Sequence, residues 1–239
     1  MSAEAGVLDG AIGCELPGSG RALFTARAAG NLSTGAGEDH EHGMRRREEL
    51  SERLGVRWLC SSRQVHGTAL HVIEHVAGAG GEPVLIDADG QATALREVGA
   101  MVMGADCLPV ALGCEGAVAT VHAGWRGLAA GVLEQGVRVL LGLASADGPL
   151  VAIVGPGAGV CCYEVGPEVH TALGTDAGAA QHARGRHVDL RAIARERLLA
   201  AGVAEVRDID ACTICDERFF SHRREGASAG RQAGVAWLS

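Results

Sequence analysis

The chain has 239 residues, 47% of them hydrophobic and 21% charged, so it is long enough to bury a core of its own and has the composition of a globular protein. A formal net charge of −8 excludes a general nucleic-acid binder, which needs a basic face to displace counterions, and leaves room for a small anion held by a local arginine. No basic-then-apolar leader opens the sequence and no run of about 18 apolar residues occurs, so the expectation is a cytoplasmic protein with no membrane partner.

In chain order, residues 11–16 and 23–26 read as short strands. Residues 31–43 read as a polar loop carrying His40 and His42, and 44–54 as a surface helix closed by Gly55. Strands are expected at 58–60, 69–73, 83–86 and 101–103, and again at 118–121, which leads into His122. Apolar residues at 125, 128, 129, 132, 133, 137, 140 and 141 form one helical stripe over 125–143. Residues 150–154 are a buried strand. Pro167 starts a helix after Gly166, and Asp189 caps a helix running to Ala201 before Gly202. Residues 203–209 and 234–238 return as strands. Helices and strands alternate without a linker, which predicts one α/β domain with a mixed sheet.

Two strings fifteen residues apart carry the chemistry: Gly104-Ala105-Asp106-Cys107-Leu108-Pro109 and Val121-His122-Ala123-Gly124-Trp125-Arg126-Gly127. Each follows an apolar run and then meets Pro or Gly. The expectation is therefore two strands that end in turns and deliver Cys107 and His122 to one sheet edge. His66, in Gln64-Val65-His66-Gly67, is a third candidate. One Cys and two His can hold a zinc ion with a fourth position open, or Cys107 can act as a nucleophile with His122 as its base. Taken singly, each residue also has a plain structural reading: a core thiol, a helix-start imidazole and a turn histidine.

Arg126 beside Trp125, and Arg223 in the run Phe219-Phe220-Ser221-His222-Arg223-Arg224, are candidates for holding phosphate. The eight cysteines read as thiols packed in a core, with one or two functional. Cys212-Thr213-Ile214-Cys215 looks like half of a zinc ribbon; no second C-x-x-C completes it, so it reads as structural. Gly155-Pro156-Gly157-Ala158-Gly159 lacks the Lys of a phosphate-cradling loop and reads as a close backbone approach to Cys161-Cys162-Tyr163.

The ordered set Q-V-H-G (64–67), A-D-C-L-P-V (105–110), V-H-A-G-W-R-G (121–127), G-P-G with C-C-Y-E-V-G (155–157, 161–166), C-T-x-C-D (212–216), F-F-S-H-R-R (219–224) and G-R-Q (230–232) resembles the laccase-domain, or polyphenol oxidase-like, proteins, also described as purine nucleoside phosphorylases. The resemblance implies a single compact α/β (α+β) domain over 1–239, with a mixed sheet core flanked by helices. It implies that His66, Cys107 and His122 are zinc ligands and the catalytic centre. The implied partners are purine nucleosides and phosphate: phosphorolysis of adenosine, inosine and methylthioadenosine, and deamination of adenosine. A copper-dependent polyphenol oxidation is the alternative, yet the only H-x-H pair is His40-Glu41-His42, too few histidines for several coppers. A metal-free Cys–His hydrolase and a non-enzymatic binding role are the further rivals.

Overall fold

The computed structural model describes residues 9–34, 38–76, 86–175 and 182–239. The described residues begin with β1 (Ile12–Glu15), β2 (Gly20–Phe24), α1 (Glu38–Leu54), β3 (Trp58–Cys60), β4 (His71–Val72), β5 (Gly90–Thr93) and β6 (Val98–Gly104). Next come β7 (Leu108–Cys114), β8 (Ala117–Ala123), α2 (Trp125–Ala130), α3 (Val132–Leu141) and β9 (Val151–Val154). They close with α4 (Pro167–Leu173), β10 (Ala183–Arg184), β11 (His187–Val188), α5 (Leu190–Ala200), β12 (Glu205–Asp208), α6 (His222–Glu225) and β13 (Gln232–Leu238). Among the described residues no helix is long and apolar enough to cross a membrane.

The strands form two large sheets. The first has the order β1-β2-β13-β6-β3 and the second β12-β9-β7-β8-β5-β4. Both are mixed: β3 runs parallel to β6, and β12 and β4 run parallel to β9 and β5, while the other pairs are antiparallel. The sheets stack on each other, with β6 and β13 lying over β7 and β8.

Alternation along the strands explains the layers. In β8, Ala117, Ala119, Val121 and Ala123 face α3 and the helix-side core, with Leu108, Val110 and Leu112 of β7. Val118 of β8 and Ala111 of β7 face inward between the sheets with Leu16, Phe24, Ile153 and Ala236. A strand buried on both faces has no polar side, which is why β7 and β8 are apolar almost throughout. On the outer face of the first sheet, Leu50 of α1 packs with Leu32, Met101, Val235 and Trp237.

Several sequence expectations hold, including Pro167 at the first position of α4 and the Asp189 cap, whose carboxylate accepts from Ala192 N at 3.0 Å. Others are corrected. Helix α1 starts at Glu38, so His40 and His42 lie on a helix, both exposed and about 200° apart around its axis. Its buried face is Gly43, Arg47 and Leu50, spaced for a helix but hidden from a search for apolar residues. The stripe over 125–143 is two helices, because Gly131 adopts a left-handed φ of 91° that ends α2 before α3 begins. Of the strand expected at 83–86, residues 83–85 lie outside the described residues and Ile86 belongs to no strand. Strands β5 and β7 have no counterpart among the sequence expectations.

Candidate metal centre

Cys107 does not end a strand at a sheet edge. Residues 105–107 carry the chain from β6 of the first sheet into β7 of the second, and Pro109 lies inside β7 rather than turning the chain. In the antiparallel β7–β8 ladder Leu108 pairs with Ala123 and Pro109 with His122, so Cys107 arrives opposite Gly124, beside the His122 side chain. The close approach leaves no room for a side chain at 124: a Cβ there would lie 2.9 Å from Cys107 Sγ and 2.9 Å from His66 Cδ2.

The third donor comes from the loop between β3 and β4. His66 sits at φ 59°, a left-handed conformation uncommon for a residue with a Cβ. The turn is held by Asp89, a fully buried carboxylate. Its Oδ2 accepts from Val65 N at 3.1 Å and Gly67 N at 2.6 Å, and its Oδ1 from His66 N at 2.9 Å. The same Oδ1 lies 2.9 Å from His122 Nδ1. One carboxylate thus fixes the backbone under one histidine and the ring of the other. It reaches both because β5 and β8 pair Gly90 with Val121, which also brings His122 N within 2.7 Å of the Asp89 carbonyl. No local signal marks Asp89: its string Asp87-Ala88-Asp89-Gly90 looks like any polar turn.

With Nδ1 committed to Asp89, His122 presents Nε2 to Cys107. His66 Nε2 lies 3.8 Å from Cys107 Sγ, and the two imidazole rings meet edge to face with centroids 4.9 Å apart. Burial opposes ionisation of Cys107, but hydrogen bonds from His122 and His66 outweigh it and hold the thiol down at about 6. Burial likewise opposes a charge on His122, and the bonds to Asp89 and Cys107 lift it to about 9. Without a cation both shifts run toward a thiolate beside an imidazolium.

The donor atoms of His66, Cys107 and His122 lie within 4.8 Å of one another. A tetrahedral zinc with bonds of about 2.3 Å to sulfur and 2.0–2.1 Å to nitrogen needs a sulfur–nitrogen separation of about 3.6 Å. The 3.8 Å between Cys107 and His66 is close to that spacing, so the three residues fit one ion with a fourth position left over. His66 is exposed and His122 buried, which places the open side toward solvent.

Asp106, next to Cys107, is the second buried carboxylate of the site and holds a φ of 90°. Its oxygens accept from Thr213 Oγ1 and Arg223 N, each at 2.7 Å, and its carbonyl accepts from Ala158 N at 2.7 Å. Arg223 reaches the neighbourhood of the site through this contact. Its guanidinium packs 4.9 Å from the Tyr163 ring centre and donates to the Glu164 carbonyl at 2.8 Å. Arg224 is spent on the carbonyls of Thr213, Ile214 and Phe219. Arg126 is exposed in the first turn of α2, 4.2 Å over the Trp125 ring, two residues beyond Gly124.

The family model described as "Multi-copper polyphenol oxidoreductase laccase" matches residues 20–239. A protein of Xylella fastidiosa (strain Temecula1) named purine nucleoside phosphorylase is 39% identical over 93% of this chain and 88% of its own length. The Escherichia coli (strain K12) purine nucleoside phosphorylase YfiH is 37% identical over 87% of this chain and 86% of its own. The crystal structure of the Neisseria meningitidis protein NMB0706 superposes with a TM-score of 0.78 at 32% identity, covering 96% of this chain and 99% of that one. Matched by that family model over residues 20–239, by relatives of 37–39% identity over most of both chains and by a solved structure of the same fold, the chain belongs to the polyphenol oxidoreductase laccase family, relatives of which carry the name purine nucleoside phosphorylase.

Proposed function

We propose that the protein is a zinc-dependent purine nucleoside enzyme of the cytoplasm, acting by phosphorolysis on adenosine, inosine or methylthioadenosine and by deamination on adenosine. The substrate class is drawn from the names of relatives that match over most of both chains. The observation that carries the metal reading is the set His66, Cys107 and His122 at one-ion spacing, with the His122 tautomer locked by Asp89. A zinc ion bound there supplies positive charge against the charge that develops on oxygen or nitrogen in the reaction.

In phosphorolysis an oxygen of hydrogen phosphate bonds to ribose C1′ as the C1′–N9 bond breaks and the phosphate's proton passes to the base, giving the free base with ribose 1-phosphate, or with 5-methylthioribose 1-phosphate from methylthioadenosine. Arg126 is the residue we assign to phosphate, because it follows Gly124 by two residues and its guanidinium is exposed on a flat aromatic support. Arg223 is assigned to positioning, since its backbone holds Asp106 and its side chain covers Tyr163. In deamination, water adds at C6 of adenosine and ammonia leaves, giving inosine. Asp89 keeps the His122 ring oriented in both reactions.

A second reading is favoured by one observation: the Cys107 thiol lies against two imidazoles, 3.8 Å from His66 Nε2, whose hydrogen bonds favour its ionised form as a metal-free nucleophile requires. A polyphenol oxidase of several coppers finds no matching set of histidines among the described residues, where His66–Cys107–His122 is the one cluster that contains histidine.

The test is elemental analysis with adenosine assays, with and without phosphate, before and after complete chelation. Zinc that is lost in His66→Ala, and base release that needs phosphate and stops on chelation, is the expected result. Activity that survives chelation would transfer the chemistry to the Cys107 thiolate. Untouched adenosine and inosine would remove the nucleoside reading.

A further inference from the structure

A second group of soft donors lies outside this site. Cys161 and Cys162 follow the glycine-rich turn after β9, and Cys212 and Cys215 follow β12; all four sulfurs lie within 4.8 Å of one another. The C-x-x-C string that looked like half of a zinc site finds its other half in an adjacent pair some fifty residues upstream. We propose that these four cysteines form a separate site for one soft divalent cation of the zinc class, which ties the loop after β9 to the loop after β12.

The spacing supports a single ion. A tetrahedral site with bonds of about 2.3 Å to sulfur sets its sulfurs about 3.8 Å apart. Cys161 Sγ and Cys215 Sγ stand 3.8 Å apart. A disulfide requires about 2.05 Å, and an iron–sulfur cluster, whose thiolates each bind a different iron or share only two, spreads its ligands more widely.

The surroundings favour a thiolate at Cys212. Gly159 N donates to Cys212 Sγ at 3.2 Å, and the backbone N–H groups of Cys215 and Ile214 are aimed at the same sulfur. Such donors orient a metal-bound thiolate and spread its charge. Gly159 also packs directly on the cluster: a Cβ there would lie 2.9 Å from Cys212 Cβ and 3.2 Å from the sulfurs of Cys161 and Cys212. Cys161 and Cys215 are exposed on the other side and give an ion its way in.

The two loops are already paired, with a bridge between Gly157 and Cys212, and Arg191 donates to the carbonyls of both Gly157 and Ala211. They also carry Tyr163, and the Thr213 hydroxyl that holds Asp106. A cation there would brace the wall behind Cys107 without touching substrate. This proposal is independent of the reading of the His66 site.

The experiment loads the purified full chain with Co(II) under anaerobic, reducing conditions and compares it with two double variants. The expected result is two ions per chain, with the strong near-ultraviolet sulfur-to-cobalt absorption of a four-thiolate centre. His66→Ala/His122→Ala should keep that absorption and one ion, while Cys161→Ser/Cys215→Ser should lose it and keep one ion. Alkylation of the native protein covers the event that a variant fails to fold: bound zinc should shield Cys161 and Cys215 from iodoacetamide, and a chelator should expose them. One ion per chain in the parent protein with a one-thiolate spectrum would overturn the proposal. So would equal alkylation with and without chelator.

Discussion

Asp89 Oδ1 lies 2.9 Å from His122 Nδ1 and, at the same distance, accepts the backbone N–H of His66. Two of the three proposed ligands therefore depend on one buried carboxylate, which also takes the N–H groups on either side of His66. Asp89→Asn tests this dependence. Whichever way the amide turns, its NH2 group faces donors where an acceptor is needed. Zinc affinity should fall by about 10–100-fold, and the loss of buried charge-assisted bonds should cost about 1.5–3 kcal/mol each. Chelator competition and urea unfolding read the two effects separately. Parent-like zinc affinity in a folded variant would remove Asp89 from the metal centre.

Proton release should accompany metal binding. The metal-free pair holds a proton on His122 up to about pH 9 and has lost the Cys107 proton above about 6. A cation must expel the His122 proton, so from these two groups affinity should rise about tenfold per pH unit between 6 and 9. Below about 6 the slope steepens, because the Cys107 thiol must also ionise; above about 9 it flattens. Zinc competition across this range measures the slope. A flat profile between 6 and 9 would mean that His122 binds no ion.

Gly124→Ala places a methyl group against Cys107 Sγ and His66 Cδ2 together. Overpacking of this kind costs about 1–3 kcal/mol of stability, and the donors must separate to relieve it. Metal affinity should drop at least tenfold, more than a comparable substitution away from the cluster would produce. Isothermal titration of the folded variant gives the answer.

Thr213→Val removes the hydroxyl that donates to Asp106 Oδ1 and keeps the shape of the side chain. The carboxylate, already at a left-handed φ of 90°, is left one buried partner short. The expected cost is about 1–3 kcal/mol, read as a shift in the urea midpoint with an unchanged slope. An unchanged midpoint would show that Arg223 N alone suffices to hold Asp106.

Arg126→Ala and Arg223→Ala should separate binding from positioning. The first removes an exposed side chain and should leave stability within about 0.5 kcal/mol while raising the KM for phosphate. The second loses the Tyr163 stacking and the Glu164 contact, so it should lower stability and kcat. Initial rates at varied phosphate distinguish the two, and an unchanged KM in Arg126→Ala would free that residue from the role.

Much of the fold could be read locally, because caps and buried runs act within a few residues. Asp189, Pro167 and the apolar stretch before His122 are examples. What stayed hidden depends on pairing across the sequence. Pro109 looked like a stop, but it sits in a strand whose ladder with β8 is what brings Cys107 to His122. Asp89 has no local signature, since its meaning comes from four donors, the nearest of them 22 residues away. The break at Gly131 lay inside an unbroken apolar stripe, and periodicity does not register a left-handed residue. His66, Cys107 and His122 were each visible as residue types; the carboxylate that binds two of them together was not.

Only Ala105, Asp106 and Cys107 separate β6 from β7, and the chain changes sheets within them. That crossing has no slack. Adding or deleting one residue would either shift every side chain of a doubly buried strand to its opposite face or carry the thiol away from both imidazoles. Variation in loop length, the ordinary way for a scaffold to acquire new specificity, is closed at this point. Divergence in what such a protein acts on should instead accumulate in segments that can grow or shrink without retuning two sheets at once.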